Sequence, residues 1–313
     1  EVLRHPNVES CVMVDIDDMV VEISKKYLPT LSDGVFENPR GKVVIDDGCK
    51  FVKQTKDKYD VVIVGSGFGG SVAALRLVEK GYSVAVLEAG ARFEDKDFPA
   101  TSWDLRRFLF FPKLGLKGIQ RIHFLPDTVV LCGAGVGGGS LVYANTLYKP
   151  PASYFADEQW SHITNWGEEL DPWYDQASRM LGVVQNEFMS PADDVMQDVA
   201  HDLGVGHTFR LTPVGVHFGA GAGIESADPF FGGVGPARTG CTNCGECMTG
   251  CRFNAKNTMP KNYLGLAERA GAVVHPLTTV ERLQPQSDGG WRIRARRTCG
   301  WMNTSSTRPC STT

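Results

Sequence analysis

The chain has no uninterrupted apolar run of the roughly 18 residues that a membrane-spanning helix needs. It also has no excess of positive charge. Its 32 Lys and Arg stand against 36 Asp and Glu, for a net charge of −4. That balance leaves no basic footprint for nucleic acid and no polybasic patch for an anionic membrane. No signal-peptide pattern is visible, and the expected location is cytoplasmic. The first residue is Glu1 and not Met, so the expectation is an incomplete N-terminus.

What is present points to a folded, ligand-binding protein. Apolar residues make up 42% and charged residues 22% of 313 positions, which is enough for a sizeable core and one or two domains. The 35 glycines are clustered, and clustered glycine suggests backbone lying against a ligand.

Strand and helix patterns alternate from the start, which implies a parallel sheet. Cys11 to Asp15 is a short apolar strand ending in an acid. Asp17 caps an expected helix to about Leu28, with Met19, Val20, Ile23 and Tyr27 on one face. Lys42 to Ile45 reads as a second strand and 48–55 as a short helix. Tyr59 to Val64 is a third strand. A helix rich in Ala and Leu follows until Gly81, and then a strand from Ser83 to Leu87. Further strands are expected at Thr128 to Cys132, Val273-Val274, Thr278 to Leu283 and Trp291 to Ala295. Asp171 followed by Pro172 predicts a helix start, with the helix running to about Leu181. Another helix is expected near 259–269. From Thr298 onward periodicity ends, as in a frayed tail.

Gly65, Gly67 and Gly70 fit G-x-G-x-x-G. The pattern is weak alone and strong in this context, between an apolar strand and a helix, with Glu88 closing the next strand. Gly65 makes the turn, Gly67 admits a pyrophosphate, and Gly70 lets helix and strand pack closely. The helix N-terminus offers free N–H groups to the phosphates. Glu88 is placed to accept ribose hydroxyls, and its charge disfavours a 2′-phosphate.

A second glycine loop runs from Gly133 to Ser140, with five glycines in seven residues. Such a loop can lie flat against a large planar ligand, or serve as a flexible linker. The apolar strand before it and Leu141-Val142-Tyr143 after it favour the ligand.

The runs YDVVIVGSGFGGSVAALRL, VLEAG and GAGVGGGSLVYANTL, in that order, resemble the GMC flavoprotein oxidoreductases. The resemblance covers about residues 58–297 and is greatest to their cholesterol-oxidase-like bacterial branch. Asp171-Pro172-Trp173-Tyr174 and Ala255-Lys256-Asn257-Thr258 also look like that branch. The resemblance implies FAD held at Gly65, Gly67, Phe68, Gly69, Gly70 and Glu88. It implies further cofactor contacts at Gly133, Gly138, Gly139, Ser140, Tyr143 and Asn145, and an adenine contact near Val280. Members of that family carry their catalytic His in a C-terminal segment. None of the seven histidines here lies in a matching motif, so a cofactor-binding fragment with an incomplete active site is expected.

Residues 1–63 resemble spermidine synthase instead, a methyltransferase-like α/β fold. The resemblance rests on the runs at residues 1–10, Val14-Asp15-Ile16-Asp17, 21–29 and Asp47-Gly48. It implies ribose binding at Asp15 and an adenine contact at Asp47; as bare residues they are also ordinary strand-end acids. The family's nucleotide-binding glycine loop would lie before Glu1, and Gly65 stands where its catalytic aspartate is expected. Tyr59 to Val64 fits the strand of either family, so a join of two gene fragments is expected there.

Cysteine clusters rather than spreads. Four of nine fall at Cys241, Cys244, Cys247 and Cys251. The spacing C-x2-C-x2-C-x3-C is that of a ferredoxin-type iron–sulfur run, although no Pro follows Cys251. Zinc and a metal-free role stay open.

The expected fold is α/β. A Rossmann-type FAD-binding domain with a parallel sheet is preceded by a partial methyltransferase-like segment and followed by an incomplete α+β substrate region. The expected divisions are residues 1–58, 59–150, 151–240, 241–297 and 298–313: synthase-like fragment, FAD-binding segment, substrate or cap region, cysteine cluster with return to the FAD domain, and tail. The expected function is FAD-dependent oxidation of the CH–OH group of a small-molecule alcohol or sterol, with the electron acceptor open. The alternatives are an inactive chimera, an iron–sulfur electron-transfer protein and an aminopropyl- or methyltransferase-like module.

Overall fold

The computed structural model describes residues 11–15, 41–45, 59–287 and 289–298. The expected helices at 17–28 and 48–55, Asp47 and the tail beyond Thr298 lie outside these residues. Strands β1 (Cys11–Asp15) and β2 (Gly41–Ile45) pair in parallel, Cys11 opposite Gly41, as expected of two strands joined by a crossover.

The next unit is a parallel strand–helix–strand. Strand β3 (Val61–Val64) leads through the glycine turn into α1 (Phe68–Glu79), and β4 (Val84–Leu87) returns beside β3. Ala73, Ala74, Leu75 and Leu77 are good helix formers, and β-branched Val84 and Val86 suit a buried strand. At the helix end, Gly81 N–H donates to the Val78 carbonyl and the chain turns back. A distant segment completes the sheet. Strand β7 (Val273–His275) pairs in parallel with β4 on its other side, giving the order β7-β4-β3.

The largest core lies under this sheet. Ala74 and Leu75 of α1, Val84 and Val86 of β4, Met259, and Tyr263, Leu264 and Ala267 of helix α4 (Tyr263–Arg269) pack together. Burying such side chains contributes about 1.5–3 kcal/mol each. This cluster ties residues 259–272 to the glycine-turn unit although nearly 200 residues separate them.

Between these parts, β5 (Gln120–Phe124) and β6 (Val129–Gly133) form an antiparallel hairpin that ends in the second glycine loop. Strands β8 (Thr278–Pro285) and β9 (Trp291–Arg297) form another hairpin after β7. Helix α3 (Pro191–Asp202) starts with a capping box between Ser190 and Asp193.

One helix start differs from the expectation. Helix α2 spans Trp166–Met180, so Pro172 sits inside it rather than at its first position. Asn165 is the cap residue, and Glu168 and Glu169 fill the first turn, where carboxylates favour the helix dipole. Pro172 removes the hydrogen bond to the carbonyl of Glu168, an exposed residue whose carbonyl water can reach. Asp171 is not a cap; it forms an ion pair with Lys149.

Candidate functional site

The two glycine loops lock into one another. A Cβ placed on Gly70 would lie 2.0 Å from the Gly65 carbonyl oxygen, so only glycine lets α1 close on β3. A Cβ on Gly138 would lie 2.6 Å from the Cα of Gly67, and Gly138 itself has φ +54°. The second loop therefore rests directly on the first, backbone to backbone. Within the second loop, Gly133 packs as closely on the Gly138 carbonyl.

Ser66 is the polar pin between them. Its hydroxyl donates to Glu88 Oε2 at 2.7 Å and accepts the Gly137 N–H at 3.0 Å. The Ser66 N–H donates to the same Oε2 at 3.0 Å, and the Gly90 N–H donates to Oε1 at 2.8 Å. Glu88 is 7% exposed, and its buried carboxylate is thus held by three donors. A carboxylate accepts about four, so one acceptor position is left for a ribose hydroxyl. Sequence reasoning placed Glu88 at the site but missed Ser66. The variable middle position of G-x-G carries no residue signal.

The space above the turn suits a diphosphate. A Cβ on Gly65, Gly67 or Gly69 would meet nothing within 4 Å. Gly67 caps α1 without a side-chain bond, and no acidic residue lies in the first turn. The first intrahelical bond runs from Ser71 N–H to the Gly67 carbonyl, so the amides before it are the orphan donors of a helix start. The residues present therefore fit the diphosphate and ribose of a dinucleotide.

Phe68 and Gly139 lie together, with the Phe68 ring edge-on to Tyr143 at 6.1 Å. Ser140 is fully buried, and its hydroxyl is taken up inside the fold, donating to the Gly137 carbonyl and accepting the Met259 N–H. Tyr143 donates to the Asn257 carbonyl at 2.8 Å, and burial pushes its phenol well above the usual range. Asn145, at φ +61°, donates through Nδ2 to Cys247 Sγ at 3.1 Å. Val280 is placed apart from the glycine loops by two residues of strand. Leu277 N–H binds the Gly90 carbonyl and Thr278 N–H the Glu88 carbonyl, and these bonds anchor β8 just before it.

All four clustered cysteines are free and line one cavity of about 200 Å³, together with Asn145 and Lys256. Among the described residues no three His, Cys, Asp or Glu side chains converge as a site for a metal ion. Burial pushes the Cys241 and Cys247 thiols up. Lys256 sits under the cavity with no exposed surface, and its ammonium donates to the carbonyls of Leu141, Tyr143 and Cys247. Burial pulls its pKa down to about 8. Arg238 is equally buried and is pulled down to about 10, still charged at neutral pH. Neither cation was given a role in the sequence reading, because a lone Lys or Arg carries no signal of burial.

Among the described residues three histidine side chains have a partner. His275 meets the Tyr59 hydroxyl at 3.2 Å, His217 meets Ser226 at 3.3 Å, and His162 contacts a main-chain carbonyl. No helix of the described residues is long and apolar enough to cross a membrane.

Comparison with known proteins divides the chain in two. Residues 1–88 match the spermine/spermidine synthase domain. The match runs past the strand at Val61–Val64 through the glycine turn to Glu88, further than the sequence reading placed it. A 64-residue stretch is 48% identical to a polyamine aminopropyltransferase of Sulfurisphaera tokodaii, covering 20% of this chain and 21% of the relative. A longer stretch of 251 residues is 61% identical to a cholesterol oxidase of Mycobacterium tuberculosis, covering 79% of this chain and 43% of the relative. A cholesterol oxidase of Acinetobacter baumannii is 44% identical over 253 residues, covering 78% of this chain and 46% of the relative. The chain thus spans less than half the length of the cholesterol oxidases it matches.

Proposed function

We propose that residues 59–297 are the cofactor-binding part of an FAD-dependent oxidoreductase that acts on the CH–OH group of an alcohol or sterol. The observation that carries this reading is the interlock of the two glycine loops, with Ser66 holding Glu88 and Gly137 at once. A dinucleotide site needs backbone close to the phosphates and a carboxylate for the ribose, and the interlock supplies both. Likeness to the two cholesterol oxidases supports the choice of FAD and of a hydroxyl-bearing substrate.

In this reading FAD, when bound, accepts hydride from the carbon that bears the hydroxyl. The chain's own residues bind and orient. The N-terminus of α1 receives the pyrophosphate, and Glu88 accepts a ribose hydroxyl. Gly133, Gly138, Gly139 and Ser140 shape the loop for the isoalloxazine. Tyr143 and Asn145 would stand at the edge of that loop, and the backbone near Val280 would meet the adenine. The proton of the alcohol also needs a base.

We infer further that the chain joins two gene fragments near Tyr59–Val64. The synthase match ending at Glu88 favours this, since it overlaps the flavoprotein-like turn. A parallel strand–helix–strand satisfies both families over that stretch, so a join there leaves local folding intact.

The test is direct. Purified protein is incubated with FAD, filtered free of excess, and its flavin released by acid and measured by fluorescence. Retained flavin near one per chain supports the reading, and none retained by a folded sample overturns it. One continuous transcript read across the codons for residues 40–90 tests the join.

A further inference from the structure

The cysteine cavity carries a charge pattern that the flavin reading does not use. Arg238 and Lys256 are 1% and 0% exposed. The Arg238 guanidinium is bonded to the carbonyls of Asn254 and Ala255 and to the Asn257 side-chain oxygen. The Lys256 ammonium is bonded to three main-chain carbonyls. Neither has a carboxylate in an ion pair among the described residues. Among the described residues Asp95, itself paired with Lys261, is the one carboxylate whose charge acts on Arg238, and two buried cations so sparsely balanced call for an anion nearby.

The sulfurs are the candidates to carry it: burial disfavours a thiolate at Cys241 and Cys247, and the hydrogen-bond donors around them oppose that. Cys251 Sγ accepts the N–H groups of Ala255 and Lys256, both at 3.4 Å. Cys247 Sγ accepts Asn145 Nδ2 at 3.1 Å, and Cys241 Sγ accepts the Asn243 N–H at 3.5 Å. A neutral thiol is a weak acceptor, and a thiolate is a strong one. Donors to the sulfurs are also a known means of tuning a sulfur-ligated cluster.

We propose that Cys241, Cys244, Cys247 and Cys251 hold one anionic iron–sulfur cluster, with Lys256 and Arg238 as its buried counter-charges. The fold adds what spacing alone did not give. In two-cluster ferredoxins the fourth cysteine of this run serves the second cluster. Here all four line the same cavity. A cluster places its metals apart, and its cysteines stand around it. On assembly four Fe–S(Cys) bonds form and four thiol protons go to solvent, while ferrous and ferric ions in equal number and sulfide come from the medium, so no electron is lost or gained. Asn145 connects this cavity to the proposed flavin loop; that connection rests on the FAD reading, and cluster binding does not.

The test uses the full chain, purified without oxygen and reconstituted with ferrous and ferric iron in equal amounts and with sulfide. The expected result is iron and acid-labile sulfide in roughly equal amounts, about one iron per cysteine ligand, with a low-temperature paramagnetic signal that changes on dithionite reduction. Cys251→Ser and Cys244→Ser should each lose iron and sulfide together while the far-ultraviolet dichroism stays native. Lys256→Met should lower cluster content in a sample that still folds. Zinc without sulfide, or no metal in a natively folded sample, overturns the proposal. Released flavin is measured on the same sample. Flavin without iron refutes the cluster alone, and iron with sulfide but no flavin refutes the FAD reading alone.

Discussion

Ser66→Ala isolates the pin between the two glycine loops. The substitution removes the hydroxyl that donates to Glu88 at 2.7 Å and accepts the Gly137 N–H at 3.0 Å. Ser66 is fully buried, so water cannot replace the lost partners without a new cavity. A hydrogen bond to a buried charge contributes about 1.5–3 kcal/mol, and an orphaned buried N–H costs about 1–3 kcal/mol. The Ser66 N–H still donates to Glu88, which softens the first loss. The expected destabilisation is about 2–4 kcal/mol. With a urea dependence of about 2–3 kcal/mol per molar, the unfolding midpoint should fall by about 1 M. Flavin retention should fall with it, because Glu88 and Gly137 belong to opposite loops of one site. Glu88→Gln and the double variant complete a cycle, and a coupling of at least about 1 kcal/mol is expected between the two positions. A midpoint shift below about 0.2 M, or additive single effects, would refute the idea that Ser66 couples the loops.

The glycines separate packing from binding. Gly69→Ala places its methyl in open space and adds a better helix former, so stability should rise by up to about 1 kcal/mol while flavin retention falls. Gly138→Ala meets the Gly67 Cα and a left-handed backbone, so it should lose flavin and about 1–3 kcal/mol of stability together, read by urea unfolding. Arg238→Met strands the Asn257 side-chain oxygen and takes one donor each from the Asn254 and Ala255 carbonyls, which keep the Thr239 and His217 N–H groups, and should lower the thermal midpoint by several degrees, against little change for exposed Arg292→Met. At the start of α3, hydrogen bonds from the Ser190 hydroxyl and N–H hold the Asp193 carboxyl below its ordinary value. Its folded value is depressed, so its contribution to stability is present above the unfolded value and is lost as pH falls through the folded one. Ser190→Ala should move the Asp193 titration, followed by carbon-detected NMR, back up toward the ordinary range.

The glycine turn at Gly65–Gly70, the strands around it and the acid at Glu88 were all legible in the sequence, because period-2 and period-3.6 patterns and glycine spacing act over a few neighbours. The same locality explains the error at α2. Asp171-Pro172 is a valid start signal, and so are Asn165 and the acids after it. The earlier one prevails because Trp166 is held by its indole N–H on the Trp160 carbonyl, and the carbonyl freed by Pro172 belongs to an exposed residue. Ser66 was invisible as a functional residue, since its worth depends on Gly137, 71 positions away.

By itself the sequence determined the local chemistry: a turn open to phosphate, an acid for a ribose, four thiols at close spacing, and two different family patterns meeting at Tyr59–Val64. Only the tertiary structure decided how these parts stand together. It set Gly138 on Gly67, brought β7 to the far side of β4, and buried Lys256 and Arg238 beside the cysteines. The physical reason is range. Turn geometry and strand patterning are fixed by neighbouring residues, whereas close backbone contact and the burial of a charge exist only once distant segments have packed.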